Sequence, residues 1–420
     1  MPRKSCGMLC SGVLLTIAAC GGEQGGGNAV TRDSAGITIV ENSGPRWASG
    51  AGWSVLDSAL VDTSQPDEPE YELDQTRGPV RLSDGRIVLF HGAANQLRFY
   101  DSNGTHLLTT GRAGSGPGEF QNVMGLWLAP GDSLLVAELL NRRLNVLDSQ
   151  GKYARSFSLG GQGGGFVPVG GRVEVAMPSG VFADGSVVGF SQAFAINQAR
   201  SGAFRDTITA IRYAPDGAAR DTLGKFLGIE METITMTFGA QSFSAPTQVP
   251  LGKTPQSAVS RDRLVVAQNE RWELEYRDQS GALKKLVRAA RTAAPVTPAD
   301  IDASRKDQLE QMGGNPMLRS VPEPIKKQIT ARIEQAKYPE TLAFFGTLLV
   351  DPDENLWAQE ATSPAVREQR WMVVDSAGTW LGTVTMPRDF RPTFIGRDAV
   401  TGIWKDADAV EHVRVYRIRK

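Results

Sequence analysis

One unit recurs along this chain, and it limits the fold more than any other feature. Each copy runs through a turn, an apolar strand, a polar gap, a second strand, an Asp-containing turn and a third strand. In copy one the turn is 82–85, the strands are 86–90, 97–100 and 105–110, and the Asp turn is 101–104. Copy two has its turn at Gly131-Asp132, strands at 134–137, 144–147 and 153–159, and an Asp turn at 148–151. Copies three, four and five open at Asp184-Gly185, Arg261-Asp262 and Asp353-Glu354-Asn355, and copy six opens at Arg397-Asp398. Spacings of roughly 45–50 residues suit four-stranded units arranged radially. A single unit cannot bury both of its faces, so the copies must pack on one another.

Copy six stops before its last strand. Two N-terminal segments could supply it, the β-branched run 36–40 and the run 53–61. Pairing such a strand into the last unit removes the exposed sheet edges at the seam. The fold class expected is therefore all-β: a six-bladed β-propeller closed by an N-terminal strand over residues 36–420. Copy three carries extra residues at 192–205 between its middle strands, and a Gly-rich loop precedes it at 160–171.

Two motifs narrow this further. Asn141-Arg142-Arg143-Leu144 opens a strand, and Gly-Arg-Ala-Gly-Ser-Gly-Pro-Gly-Glu-Phe at 111–120 joins copy one to copy two. With the Asp-Ser-x-Gly turns, these resemble the NHL-repeat six-bladed propellers, and most of all their bacterial lipoprotein branch. The 111–120 glycines are not a phosphate loop or a nucleophile elbow, because Pro117 would disrupt a strand-to-helix turn. The stretch reads as a crossing between blades, with Phe120 packed between them.

The N-terminus reads as an address. Arg3 and Lys4 precede an apolar run at 8–19, too short for a spanning helix of ~20 residues. It ends Ile17-Ala18-Ala19-Cys20, which resembles a lipobox. The resemblance implies a signal peptide over 1–19, lipidation of Cys20 and, from Gly21 at the next position, placement in the outer membrane. All three cysteines (Cys6, Cys10, Cys20) lie here, so the body has neither thiol nor disulfide. The Gly-rich 20–35 segment then serves as a flexible tether.

Residues 297–340 break the repeat. Thr297-Pro298-Ala299-Asp300 spells a helix start, and Ser320-Val321-Pro322-Glu323 spells a second. Ile325, Ile329, Ile333 and Ala336 recur at helical spacing. A helical hairpin between blades four and five is expected, either decorating the side of the ring or capping its channel.

Aligned, the copies place His91, Glu138, Ser191, Gln268, Gln359 and Lys405 at one equivalent position, after the first apolar strand of each unit. With Arg77, Asn95, Glu119, Asn141, Arg142, Glu270 and Arg271 nearby, they are the candidate ligand-binding set for a channel mouth. The three histidines, His91, His106 and His412, occupy inequivalent positions, which argues against zinc. Calcium stays open through Glu138, Asn141 and Glu270. Asp148, Asp216 and Asp375 repeat at turn positions and read as turn formers. With 45 Lys+Arg against 46 Asp+Glu, the chain has no charge excess to attract nucleic acid. The function expected is a lipid-anchored envelope scaffold that binds a protein, peptide or glycan. The alternative, drawn from what some six-bladed propellers do, is a calcium-dependent hydrolase or lactonase. An accessory subunit of an envelope complex is a third reading.

Overall fold

The computed structural model describes residues 28–64, 68–139, 141–160, 172–195, 200–238, 241–314, 321–363, 365, 366 and 368–420. Cys20, the signal peptide and the glycines of the tether lie outside the described residues, as does 161–171 of the Gly-rich loop before copy three.

The chain is mostly β. It begins with β1 (Ala29–Ser34), β2 (Ile37–Asn42) and β3 (Ser54–Asp62). Sheet one holds β4 (Arg77–Arg81), β5 (Ile87–His91), β6 (Gln96–Tyr100) and β7 (His106–Thr110). A short parallel pair follows, β8 (Arg112–Ala113) and β9 (Glu119–Phe120). Sheet two holds β10 (Val123–Ala129), β11 (Ser133–Glu138), β12 (Leu144–Leu147) and β13 (Tyr153–Phe157). Sheet three holds β14 (Arg172–Val181), β15 (Val187–Ala195), β16 (Phe204–Tyr213), β17 (Ala219–Phe238) and β18 (Gln241–Gln248). Sheet four holds β19 (Gln256–Val259), β20 (Arg263–Ala267), β21 (Glu273–Asp278) and β22 (Leu283–Ala289), with β2 and β1 added outside β22. Helices α1 (Pro298–Gly314) and α2 (Glu323–Glu334) come next. Sheet five holds β23 (Phe345–Val350), β24 (Leu356–Glu360), β25 (Gln369–Val374) and β26 (Trp380–Met386). Sheet six holds β27 (Phe390–Ile395), β28 (Ala399–Lys405) and β29 (Glu411–Arg419), with β3 paired to β29.

The first strands of successive sheets touch in a cycle: β4 to β10, β14, β19, β23, β27 and back to β4. The second strands are buried on both faces, as sheets packed side by side require. Ile87, Val88, Leu89 and Phe90 are all essentially inaccessible, whereas no residue of β7 is buried and Leu107 and Leu108 are exposed. Full burial of each such side chain contributes about 1.5–3 kcal/mol, so the second strands anchor the core. One apolar cluster joins sheets one and two through Phe90, Phe99, Phe120, Leu134 and Val136. Phe120 is 0% exposed and meets Phe90 edge to face at 5.4 Å. This is the packing expected of the 111–120 crossing. Gly111 has φ +89°, and a Cβ there would stand 2.5 Å from the Phe120 ring.

The Asp turns form as the repeats imply. Asp101 Oδ1 accepts from the amides of Asn103 and Thr105, each at 2.8 Å, and Asp148 and Asp278 repeat the pattern. Asp216 and Asp375 likewise accept turn amides.

Of the two N-terminal runs expected for the last sheet, the second takes that place. The run 53–61, now β3, pairs with β29 of the last sheet, while 36–40 belongs to β2 and pairs in parallel with β22 of sheet four. Between them, the amides of Arg46 and Trp47 bond to the carbonyls of Trp380 and Leu381 on sheet five. Residues 29–62 thus strap the outer edges of three consecutive sheets. The reason is local: Asn42 is buried, takes the Trp380 amide at 2.9 Å and donates to the Gly378 carbonyl at 3.1 Å. Strand structure also begins at Ala29, inside the segment expected as tether.

Both helices stand between sheets four and five and contact each other. Thr297 and Asp300 cap α1 reciprocally, as the sequence spells. The start of α2 differs: its N-cap is Pro322 with no side-chain cap bond, and of the isoleucines at helical spacing Ile333 alone is fully buried.

Candidate functional site

Antiparallel pairing decides which groups share a rim. Arg77 lies opposite Phe90, Val123 opposite Glu138, Gln256 opposite Ala267, Phe345 opposite Glu360 and Phe390 opposite Trp404. The first strands therefore begin where the second strands end. The candidate residues His91, Glu138, Gln268, Gln359 and Lys405 lie together on this rim, and the turns of Asp101, Asp148 and Asp278 lie on the other. The 111–120 crossing, the hairpin of β17 and β18, and both helices also leave from the first rim. Arg332 of α2 donates to Thr247 of β18 at 2.8 Å, so the helices lean back over sheet four to meet the β17–β18 arm.

Most of the sequence-predicted residues on this rim are structural pegs. Glu138 is buried, with a 0% exposed side chain, and accepts from the Gln121 amide at 2.6 Å, Asn141 at 3.0 Å, Asn145 at 2.7 Å and Arg143 Nε. Arg143 then donates to the carbonyls of Ser115, Gly116 and Glu119, which fixes the 111–120 crossing. Glu119 accepts the Gly116 amide and Arg112 Nε, each at 2.8 Å, and the Gly116 bond is the main reason its carboxyl is held below the ordinary value.

Gln268 takes the Leu227 amide at 2.9 Å and donates to Glu275 at 2.7 Å. Glu270 bonds Arg205 at 2.5 Å and Lys253 at 3.4 Å; burial opposes these bonds, but the net shift of its carboxyl is downward. Gln359 takes the Thr347 amide at 3.3 Å. Lys405 pairs with Glu411 at 3.4 Å. Burial, reinforced by Arg98, pushes the His91 imidazole down, with Asp74 and Glu411 pulling the other way. Its Nδ1 is buried without a hydrogen-bond partner among the described residues. Arg271 is exposed at the rim.

Glu138 and Asn141 do meet, but Glu270 is held by other partners. Among the described residues no group of three or more His, Cys, Asp or Glu converges as a metal site would need.

Arg77 and Asn95 of the candidate set do border concave features. A cavity of about 460 Å³ is walled by all six first strands: Arg77 and Val80 of β4, Leu126 of β10, Ser179 of β14, Ser257 of β19, Leu348 of β23 and Arg391 of β27. Among the described residues, Arg77 donates only to the backbone carbonyls of Gln75 and Thr76, at 3.1 and 3.4 Å. The Arg391 guanidinium has no hydrogen bond or ion pair among the described residues. It is open to solvent in the channel yet surrounded by protein. Burial, and then the nearby Arg77, push its pKa down while Glu411 raises it. A guanidinium stays charged under such shifts. Two cations thus line one channel, with Glu411 acting on Arg391 from nearby, and neither is ion-paired to an acid among the described residues.

Two further cavities open on the same rim. One of about 500 Å³ lies between sheets one and two and is lined by Arg77, Asn95, Gln121 and Asn122. The other, of about 460 Å³, is almost wholly apolar and lies between sheets three and four at the foot of the β17–β18 arm. Ser257 lines both this slot and the channel.

Arg391, the β17–β18 arm and the slot are not legible in the repeat pattern. Each repeat opens at the turn before the second strand, which leaves the first strands outside the repeated unit. The alternation of Ile229 to Met236 was the available signal for the arm.

No family model matches the chain, and no curated protein matches it. Solved structures similar to it include a protein from Bacteroides fragilis described as exported, at 10% identity, covering 91% of this chain and 100% of that one, with TM-score 0.46. Another is a member of the DUF4221 family from Bacteroides vulgatus, at 12% identity, 88% and 99% coverage and TM-score 0.47. A third is the calcium-binding protein regucalcin from Agrobacterium tumefaciens, at 11% identity, 87% and 95% coverage and TM-score 0.38. The functional reading therefore rests on this chain's own residues.

Proposed function

We propose that this chain is an exported, lipid-anchored binding protein whose six sheets are the blades of an NHL-repeat-like six-bladed β-propeller. Its ligand enters at the rim carrying the helices and the β17–β18 arm, and its anionic group is held by Arg77 and Arg391. The observation that carries this reading is the pair of arginines in a cavity lined by all six first strands, neither of them ion-paired to an acid among the described residues. Two neighbouring guanidinium groups, only partly offset by Glu411, favour a carboxylate, phosphate or sulfate, because each can make a charge-assisted bond to it. An envelope protein, peptide or glycan could present such a group. Hydrolysis finds less support: Glu138, the best-placed carboxylate, already accepts four hydrogen bonds from the fold.

Cys20→Ala is expected to release the protein from membranes, and unchanged partition would remove the anchor from this account. Ligand class is tested on the full chain by thermal shift with dicarboxylates, sugar phosphates, neutral sugars and polyamines. Anions at about a hundredfold their Kd should add about 2.7 kcal/mol of stability, and the Arg77→Gln/Arg391→Gln variant should lose that response. A response to neutral sugars that the double variant retains would overturn the proposal.

A further inference from the structure

The apolar slot at the foot of the β17–β18 arm is a site that the anion-binding reading leaves unused. Its walls come from four elements of sheet three and from the approach to β19: Val175 and Met177 of β14, Phe190 of β15, Ile208 of β16, Ile229 of β17 and Pro255. At about 460 Å³ it falls within the ~300–1,000 Å³ range of small-molecule sites. Its few polar groups, among them Gln192 and Gln256, stand among a much larger apolar lining. Phe190, half-buried against the sheet-three core, and the largely covered Ile208 form its floor.

The position of the slot tells what could fill it. Ser257 lines both the slot and the arginine-bearing channel, and its hydroxyl is bonded to that of Ser179 at 2.6 Å where the two meet. A ligand lying across Ser257 would have an apolar end in the slot and a charged end toward Arg77 and Arg391. A polar glycan or a short dicarboxylate would fill the channel and leave the slot wet and unsatisfied.

We infer that the ligand is an amphiphilic anion, an aliphatic chain bearing a single carboxylate or phosphate, with its chain in the slot between sheets three and four and its head at Arg77 and Arg391. This deepens the proposed function and rests on it for the head group alone. The chain-binding slot stands on separate residues.

The test uses dodecanoate carrying a photoreactive diazirine at its chain end, applied to the full chain in its membrane. Labelled peptides are mapped by mass spectrometry. Label is expected in the segments around Val175–Met177, Ile208 and Ile229. It should be competed by plain dodecanoate about tenfold or more better than by dodecanol, since the alcohol lacks the charge-assisted bond. Ile229→Trp and, separately, Met177→Phe fill the slot from half-buried positions and should each remove most of the label. An unchanged melting temperature in either variant shows that the fold is kept. Label spread over the surface, or unaffected by both filling variants, overturns the slot. Label in the slot that dodecanol competes equally, and that Arg77→Gln/Arg391→Gln retains, overturns the anionic assignment and the proposed function with it, while the apolar slot survives as a site.

Discussion

Glu138→Ala separates a structural carboxylate from a functional one. Glu138 is fully buried, and removing it strips an acceptor from the Gln121 amide, Asn141, Asn145 and Arg143 together. Arg143 keeps the carbonyls of Ser115, Gly116 and Glu119, so the loss is less than four independent penalties. Breaking a buried ion pair by deleting one member costs about 3–5 kcal/mol, and that value governs here. At the low end of the usual conversion, roughly 2 °C per kcal/mol for a long chain, the melting temperature should fall by about 6–10 °C. Calorimetry of the purified full chain measures it. Binding of a saturating anion at low temperature should persist, since Glu138 faces the 111–120 crossing rather than the arginines. A variant that melts within about 2 °C of the parent but has lost ligand response would refute the assignment and return Glu138 to the binding set.

Other expectations follow from the same contacts. Asn42→Ala leaves the Trp380 amide and the Gly378 carbonyl without partners, so about 1–3 kcal/mol should be lost and protease should cut earlier within residues 29–62; unchanged proteolysis would show that the strap does not hold there. Burial raises the Glu411 carboxyl, but bonds from Thr76 and attraction from Lys405 outweigh it and hold it below its ordinary value. A depressed carboxyl contributes stability above its unfolded pKa, and that contribution is lost as pH falls through the folded one. Acidification below about pH 4.3 should therefore cost the parent more stability than Glu411→Gln, and parallel pH profiles would contradict this. Gly111→Ala forces a Cβ onto Phe120 at φ +89° and should destabilise by at least about 1 kcal/mol in chemical denaturation.

Much of the architecture is legible in the sequence because the Asp turns repeat with their flanking strands, and turns of this kind set register. The shared rim is legible for the same reason: His91, Glu138 and Gln268 follow equivalent strands. Their roles are not legible. Whether a carboxylate binds a ligand or pegs a crossing depends on Arg143 and Asn145 arriving from the next strand, and spacing does not encode that. The choice between 36–40 and 53–61 for the last sheet was equally closed to pattern reading, since both are plausible strands. It turns on long-range bonds such as Arg414 to Asp62, at 2.8 Å. Arg391 could not be singled out because the first strands are short, mixed in polarity and free of the Asp turns that flag the others.

Amide hydrogen exchange of the full chain, with and without dodecanoate, tests most directly whether the rim bearing Arg77 and Arg391 is the binding face. The expected result is slowed exchange at the start of β4, at the start of β27 and along β14 and β17 beside the slot, with the turns of Asp101, Asp148 and Asp278 unchanged. Protection confined to those turns, on the opposite rim, would contradict it.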